Sequence, residues 1–476
     1  MDNPSLKDSP PSIDISSKKG PISMYVSSDF LKSSDYLGEI IKTLESSDFT
    51  NERCIVCDEK VTVKEYVPCC SPACAREAYV ISGHLETALK MPEFNPSQIN
   101  IVHSRDKAAE YAMNVMLAIV IHCSNVTIQK GVRRLLLLLS IESRRVPGSL
   151  FLKDVRNKLR PVIRNEGGFG RVYMAAYNGM DVALKQIHRV SLAGSANKYY
   201  PDLSGPEKME WHFRYEALIW KTLKHERLMP LIGILTGDQV PFDHDPSDCM
   251  VSQWRHEGSA MSFLNVMINE DQAFRWGGYY QGFVYRWLLQ VIEGLKHLHS
   301  QGISHGDLHS GNILVTTAHS GIDNHPNFDI LLTDFGLSVV QEANSQQQGS
   351  LRAGLFRAPE QIDTKKYQVE SERPTVKSDI FTFAVLCYEL YTTQPPYYGR
   401  DLNLYGMGTA IRNLEPLDQR IVVEVQGEYR RVVVPDGLWE IITECWVRPE
   451  DRPTLDWIED RLKSMQIALT IPSKQT

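Results

Sequence analysis

The stretch VYMAAYNGMDVALKQIHRV, residues 172–190, places two short strand-like runs on either side of Asn178-Gly179. Asn-Gly is the pair that a two-residue hairpin turn selects, because both central positions need positive φ. An antiparallel hairpin is expected here, and the chain around it must supply the rest of a sheet. LMPLIGILT (228–236) and CMVSQW (249–254) read as further strands, and WHFRYEALIWKTLKH (211–225) as an amphipathic helix. From FVYRWLLQVIEGLKHLHSQG (283–302) onward the pattern is mostly helical. Strands first and helices later describe an α+β arrangement in two lobes. SLAGSANKYYPDLSGPEKME (191–210) and TTAHSGIDNHPNFD (316–329) read as surface insertions.

Before residue 150 the texture differs. Residues 1–35 are rich in Ser, Pro, Lys and Asp, so a disordered tail is expected. Residues 36–150 read as a helical region: DYLGEIIKTLE opens it, and DKAAEYAMNVMLAIVIHCS and QKGVRRLLLLLSIESRR carry helical spacing until Pro147 and Gly148 break it. Residues 151–470 then form the two-lobed domain, with a small lobe over about 151–254 and a large lobe over about 255–470. The apolar runs VMLAIVI and LLLLL are too short to span a bilayer, and the first residues lack the apolar core of a secretory signal. A net charge of -7 and a pI near 6.1 give no basic surplus for nucleic acid. The expectation is a protein of the cytoplasm, or else the nucleus, with neither membrane nor nucleic acid as partner.

Several motifs follow one another in a fixed order. NEGGFGRV (165–172) is a Gly-rich turn between strand-like segments, where the missing side chains let a ligand approach the backbone. VALK ends in Lys185, and FRYEALIW puts Glu216 on the amphipathic helix. HGDLHSGNILV holds Asp307 and Asn312 in the spacing D-x-x-x-x-N, LLTDFGLS holds Asp334, Phe335 and Gly336, and APE closes the series at 358–360. The oxygens of Asn312 and Asp334 are hard donors that suit Mg²⁺.

With these motifs in this order, residues from about 155 to 468 resemble a eukaryotic protein-kinase domain. VSQWRHEGSAMSFL, SHGDLHSGNILV and WEIITECWVRPEDRPT are most similar to the tyrosine-kinase-like group, whose members mostly phosphorylate Ser and Thr. The resemblance implies ATP with Mg²⁺, and protein substrates. Asp307 would accept the proton of the acceptor hydroxyl, and Lys185, paired to Glu216, would hold the α- and β-phosphates. Asn312 and Asp334 would carry the Mg²⁺. The nucleotide would lie against Asn165, Glu166, Gly167, Gly168, Phe169, Gly170, Val172, Ala183 and Lys185, with Ser252 as gatekeeper and Gln253 and Trp254 in the hinge. A gatekeeper as small as Ser252 implies an open pocket behind the adenine. Asp379 would hydrogen-bond the catalytic-loop backbone, and Glu360 would pair with Arg452.

Three positions depart from the family's pattern. Gly306 replaces the Arg that usually receives an activation-loop phosphate, which implies activity independent of that phosphate. His309 replaces a Lys near the γ-phosphate, so a neutral imidazole with an ordinary pKa of about 6.5 is expected where an ammonium is usual. Ala353, after Arg352, removes the Thr that usually bonds to that Lys. These changes leave two readings open: a Ser/Thr-directed kinase with Tyr as the other acceptor, or a pseudokinase scaffold that binds nucleotide or partners without efficient transfer. Ser338, Ser345 and Ser350 read as exposed sites for phosphorylation.

CIVCDEKVTVKEYVPCCSPACAREAY, over 54–79, concentrates Cys54, Cys57, Cys69, Cys70 and Cys74. C-x-x-C with a second close pair is zinc-knuckle spacing, and four thiolates suit a structural Zn²⁺. Cys54 and Cys57 would pair with Cys74 and either Cys70 or Cys69. The helices around this patch would pack on the small lobe or bind a protein partner.

Overall fold

The computed structural model describes residues 35–44, 81–82, 107–152, 162–167, 170–187, 205–237, 248–270, 279–317, 328–334, 339–340, 356–425 and 427–470. The chain divides into two compact units, Met1–Leu150 and Phe151–Thr476. Cys54, Cys57, Cys69, Cys70 and Cys74 lie outside the described residues, as does the tail over 1–34.

In the first unit α1 (Asp35–Leu44), α2 (Lys107–His122) and α3 (Val126–Ser143) pack together. Ile40 and Leu44 of α1, Met113 and Met116 of α2, and Val132, Leu135 and Leu136 of α3 are buried. Asn125 caps α3, its side chain accepting from Thr127 N and Ile128 N while its amide donates to Glu39 Oε2 at 2.7 Å. One residue thus starts α3 and ties it to α1. The break expected at Pro147 comes earlier: Arg144, at φ 55, closes the helix after Ser143. A left-handed residue turns the chain and satisfies the last carbonyls before the proline is reached.

The second unit opens with a five-stranded antiparallel sheet in the order β1-β2-β3-β5-β4. The strands are β1 (Val162–Gly167), β2 (Gly170–Tyr177), β3 (Met180–Ile187), β4 (Leu231–Leu235) and β5 (Cys249–Gln253). Helix α4 (Gly205–Thr222) crosses between β3 and β4. It takes its first residues from the segment expected to be an insertion over 191–210. Pro206 suits a first turn, where its missing N–H costs nothing. Of the other expected insertion, Thr316 and Thr317 end one strand and Phe328 and Asp329 begin the next, because hydrogen bonding continues to Thr317↔Phe328.

The remainder is mostly helical: α5 (Ala260–Glu270), α6 (Tyr279–Ser300), β6 (Ile303–Ser304), β7 (Ile313–Thr317), β8 (Phe328–Leu332), β9 (Val339–Val340), α7 (Pro359–Ile362), α8 (Thr364–Tyr367), α9 (Val376–Thr392), α10 (Leu404–Arg412), β10 (Arg420–Val425), β11 (Glu428–Val433), α11 (Asp436–Cys445) and α12 (Leu455–Thr470). Strands thus dominate one lobe and helices the other, an α+β two-lobed fold. Trp287, Val291 and Leu295 of α6 and Phe381, Phe383 and Leu386 of α9 are fully buried. Each such side chain contributes about 1.5–3 kcal/mol. The indole of Trp287 donates to Phe328 O at 3.0 Å, so its one polar atom is not stranded. Among the described residues no helix is long and apolar enough to cross a membrane.

Arg452, with its side chain 0% exposed, forks onto both oxygens of Glu360 at 2.6 and 2.7 Å and donates to Val447 O and Lys377 O. The pair joins α7 to the segment before α12. Arg452→Ala would strand the Glu360 carboxylate inside the protein, and urea unfolding of this variant is expected to show a loss of about 3–5 kcal/mol. Arg452→Lys keeps the charge but not the fork and is expected to lose less.

Candidate active site

The hairpin that opened the sequence sets the face of the sheet. Asn178 and Gly179 stand at φ 47 and 77, the left-handed geometry of a two-residue turn. Tyr177 is therefore opposite Met180, and counting outward brings Val172 opposite Lys185. On β5, Ser252 is opposite Ala183 and Met250 opposite Lys185. Residues that pair directly, or lie two apart, share a face. Val172, Met174, Ala183, Lys185, Met250 and Ser252 thus form one face, while Tyr173, Ala175, Val182, Leu184, Cys249 and Val251 pack into the core on the other. Met174 and Met250 were not singled out from the sequence, although the hairpin register implies the place of Met174.

Lys185 Nζ donates to Glu216 Oε1 at 2.7 Å and to Asp334 Oδ1 at 2.7 Å. The three residues come from β3, α4 and the segment just after β8. Burial works against the ammonium, but Asp334 and then Glu216 outweigh it and raise the pKa of Lys185. Burial raises the pKa of Glu216 and the nearby Asp334 charge adds to that, against the pull of Lys185. Glu216 and Asp334 thus share one cation, and the oxygens of Asp334 are hard donors of the kind Mg²⁺ takes. Asp334 itself sits at φ 66, a left-handed backbone that costs a non-glycine residue about 1–2 kcal/mol.

The loop between β6 and β7 is held by a helix from below. Asp379, in the first turn of α9 and 1% exposed, accepts from His305 N at 2.8 Å and Gly306 N at 3.0 Å, and lies 2.8 Å from His299 Nε2. Thr375 caps that helix reciprocally with Ser378, which places Asp379 at the turn. Glu389 of the same helix accepts from Ser310 N at 3.0 Å. Asn312 Nδ2 donates to Asp307 O at 2.8 Å and to Asp307 Oδ2 at 3.2 Å. Its nitrogen is spent on Asp307, so its oxygen is the atom it can offer a hard cation, and the donor set of Asn312 and Asp334 fits Mg²⁺.

His309 differs from the expectation of an ordinary imidazole. Burial disfavours its charge, but the Asp307 carboxylate, followed by Glu389 and Asp334, outweighs burial and raises its pKa above 6.5. Its Nε2 lies 3.7 Å from Asp307 Oδ2, and its Nδ1 accepts from Gly311 N at 3.0 Å. His305 goes the other way, held below 6.5 chiefly by full burial.

The segment after β5 is braced at three points. Trp254 N donates to Asp181 O at 2.9 Å, Arg255 Nη1 to Thr316 Oγ1 at 3.0 Å, and His256 Nε2 lies 2.9 Å from Asp181 Oδ2. Gln253 is exposed and Ser252 buried. Along the Gly-rich turn Asn165 is opposite Val172, Glu166 opposite Arg171 and Gly167 opposite Gly170. Gly168, Phe169, Phe335, Gly336, Ser338, Ser345, Ser350, Arg352 and Ala353 lie outside the described residues.

A protein-family model described as "Protein kinase domain" matches residues 165–461. Similar proteins include the mitogen-activated protein kinase kinase kinase of Drosophila melanogaster, 26% identical over 305 residues, or 63% of this chain and 22% of that one. The "Probable serine/threonine-protein kinase" of Dictyostelium discoideum is 26% identical over 305 residues, 63% of this chain and 27% of its own. Tyrosine-protein kinase Src64B of Drosophila melanogaster is 23% identical over 319 residues, 65% of this chain and 47% of its own. The chain thus spans under half the length of each of these relatives.

Gly306, which stands next to Asp307, adopts φ 81. A side chain there meets the left-handed penalty of about 1–2 kcal/mol. Gly306→Ala is expected to lower the unfolding free energy by that amount in urea titration, and an unchanged midpoint would show that the loop has no such constraint.

Proposed function

The chain belongs to the protein kinase family, and on that footing we propose that it transfers the γ-phosphoryl group of ATP to protein hydroxyls, with Ser and Thr preferred to Tyr. The observation that carries this reading is Lys185 held at 2.7 Å by both Glu216 and Asp334, with Asp307 bonded to Asn312 on the facing loop. Lys185 would hold the α- and β-phosphates while Glu216 keeps its ammonium in place. The acceptor oxygen attacks the γ-phosphorus, the bond to the bridging oxygen breaks, and ADP leaves. Asp307 takes the hydroxyl proton. Mg²⁺, held by Asn312 and Asp334, would supply positive charge to the phosphate oxygens. Val172, Ala183 and Ser252 share the sheet face of Lys185, which supports their contact with the nucleotide, with Gln253 and Trp254 at its adenine end. The backbone of Asn165 to Gly170 would cover the phosphates. The preference for Ser and Thr rests on the resemblance of the catalytic-loop and hinge motifs to the tyrosine-kinase-like group.

Labelled ATP and a generic protein acceptor test the reading. Asp307→Asn keeps the shape of the loop and is expected to cut transfer by about 10²–10⁴-fold. Lys185→Met is expected to abolish transfer and also to cost stability, because it buries two carboxylates without their cation. Equal transfer by all three proteins, or none by the unmodified chain, would leave the scaffold reading. Phosphoamino-acid analysis of the product decides Ser and Thr against Tyr.

We also infer a structural Zn²⁺ at Cys54, Cys57, Cys74 and one of Cys70 or Cys69, supported by their spacing alone. The full chain is expected to retain one zinc per molecule after dialysis, and Cys54→Ser with Cys57→Ser to release it. Zinc-free protein that unfolds at the same temperature as the dialysed chain would end the proposal.

A further inference from the structure

The changed residue His309 sits in a fitted seat. Its Nδ1 accepts from Gly311 N at 3.0 Å, which an imidazole can do only with that nitrogen unprotonated. In the neutral ring the proton must then be on Nε2, the nitrogen that lies 3.7 Å from Asp307 Oδ2. Gly311 has a second part in this. A Cβ at that position would stand 2.8 Å from His309 Cε1 and 2.9 Å from Nδ1, closer than packed atoms approach, so any side chain there displaces the ring. Phe356 completes the seat, its ring 5.0 Å from the imidazole and inclined at 35°. Phe356 lies two residues before Ala358, at the start of the APE segment.

We propose that Gly311 and Phe356 are positioning residues for His309, holding its imidazole beside Asp307 with the Nε2 proton aimed at the carboxylate side. The proposal rests on the phosphotransferase reading for its effect on rate but not for the geometry. A lysine at 309 would need neither partner, because a flexible ammonium has no plane to set and no tautomer to choose. An imidazole has both, so the ring is oriented only if something fixes its face and its Nδ1.

The test uses the full chain. Gly311→Ala and Phe356→Leu are expected to lower kcat about tenfold, somewhat less than removal of an oriented donor outright, with KM for ATP unchanged. Phe356→Tyr is expected to recover most of what Phe356→Leu loses. In a His309→Lys background the same two changes are expected to cost less than about twofold, since no ring remains to be displaced. Equal losses in both backgrounds, or no loss beside the native His309, would overturn the proposal. Imidazole ¹⁵N shifts of His309 in alkaline buffer give a reading that needs no activity. The native chain should show the Nε2–H tautomer, and Gly311→Ala and Phe356→Leu a mixture of tautomers. Absence of transfer by the native chain would end the kinase reading alone, whereas unchanged ¹⁵N shifts in both variants would overturn the positioning of His309.

Discussion

The site turns on the contact of Lys185 with Glu216 and Asp334. Sheet, crossing helix and the segment just after β8 each contribute one charge to it, and both bonds are 2.7 Å long. Such a contact is stable only if all three groups arrive together, because a buried charge without its partner costs several kcal/mol. The hairpin register puts Lys185 on the face away from the small-lobe core, and the placement of α4 presents Glu216 to it. Asp334 is reached only by a backbone in the left-handed region. Strain at Asp334 and the buried charges around Lys185 are both held by the surrounding packing, which is where a nucleotide and its cation would do their work.

The facing loop follows a different principle. A short connection between β6 and β7 has few backbone partners of its own, and buried N–H groups must find acceptors. Helix α9 supplies them from two positions along its length, Asp379 for His305 and Gly306 and Glu389 for Ser310. Rigidity at Asp307 is therefore borrowed from a helix whose apolar residues are buried in the large lobe. The Asp307 carboxylate is as well placed as the core beneath it is well packed.

What was legible in the sequence was local. Asn178-Gly179 announces a turn, the turn sets a register, and the register assigns the faces of β2 and β3. The spacing from Asp307 to Asn312 closes a hydrogen bond within five residues. Contacts made across long stretches of chain were legible only through resemblance, as for Asp379 and the pair of Glu360 with Arg452, or not at all, as for Glu389 and Phe356. No periodicity marks a residue as the acceptor for a loop some eighty positions away. The start of α4 was misplaced for a related reason: Gly205 and Pro206 look like a loop, and only the continuing helix shows that they open it.

His309 shows why a departure from a pattern has to be weighed with its neighbours. Taken alone, the exchange of an ammonium for an imidazole removes a charge and shortens the reach of the side chain. Taken with Gly311 and Phe356, it exchanges one way of orienting a donor for another. A lysine relies on charge and a polar partner to hold a long flexible stem. The imidazole is short and flat, so orientation comes from the backbone N–H of Gly311 at one edge, the inclined ring of Phe356 beside it, and the missing side chain of Gly311, which leaves room for the imidazole. Burial opposes a charge on the ring, but the Asp307 carboxylate beside it leads the groups that outweigh burial and raise its proton affinity. Random loss of a catalytic group would leave the vacated space to chance. Here Gly311 and Phe356 both fit an imidazole at residue 309, and a lysine would need neither of them.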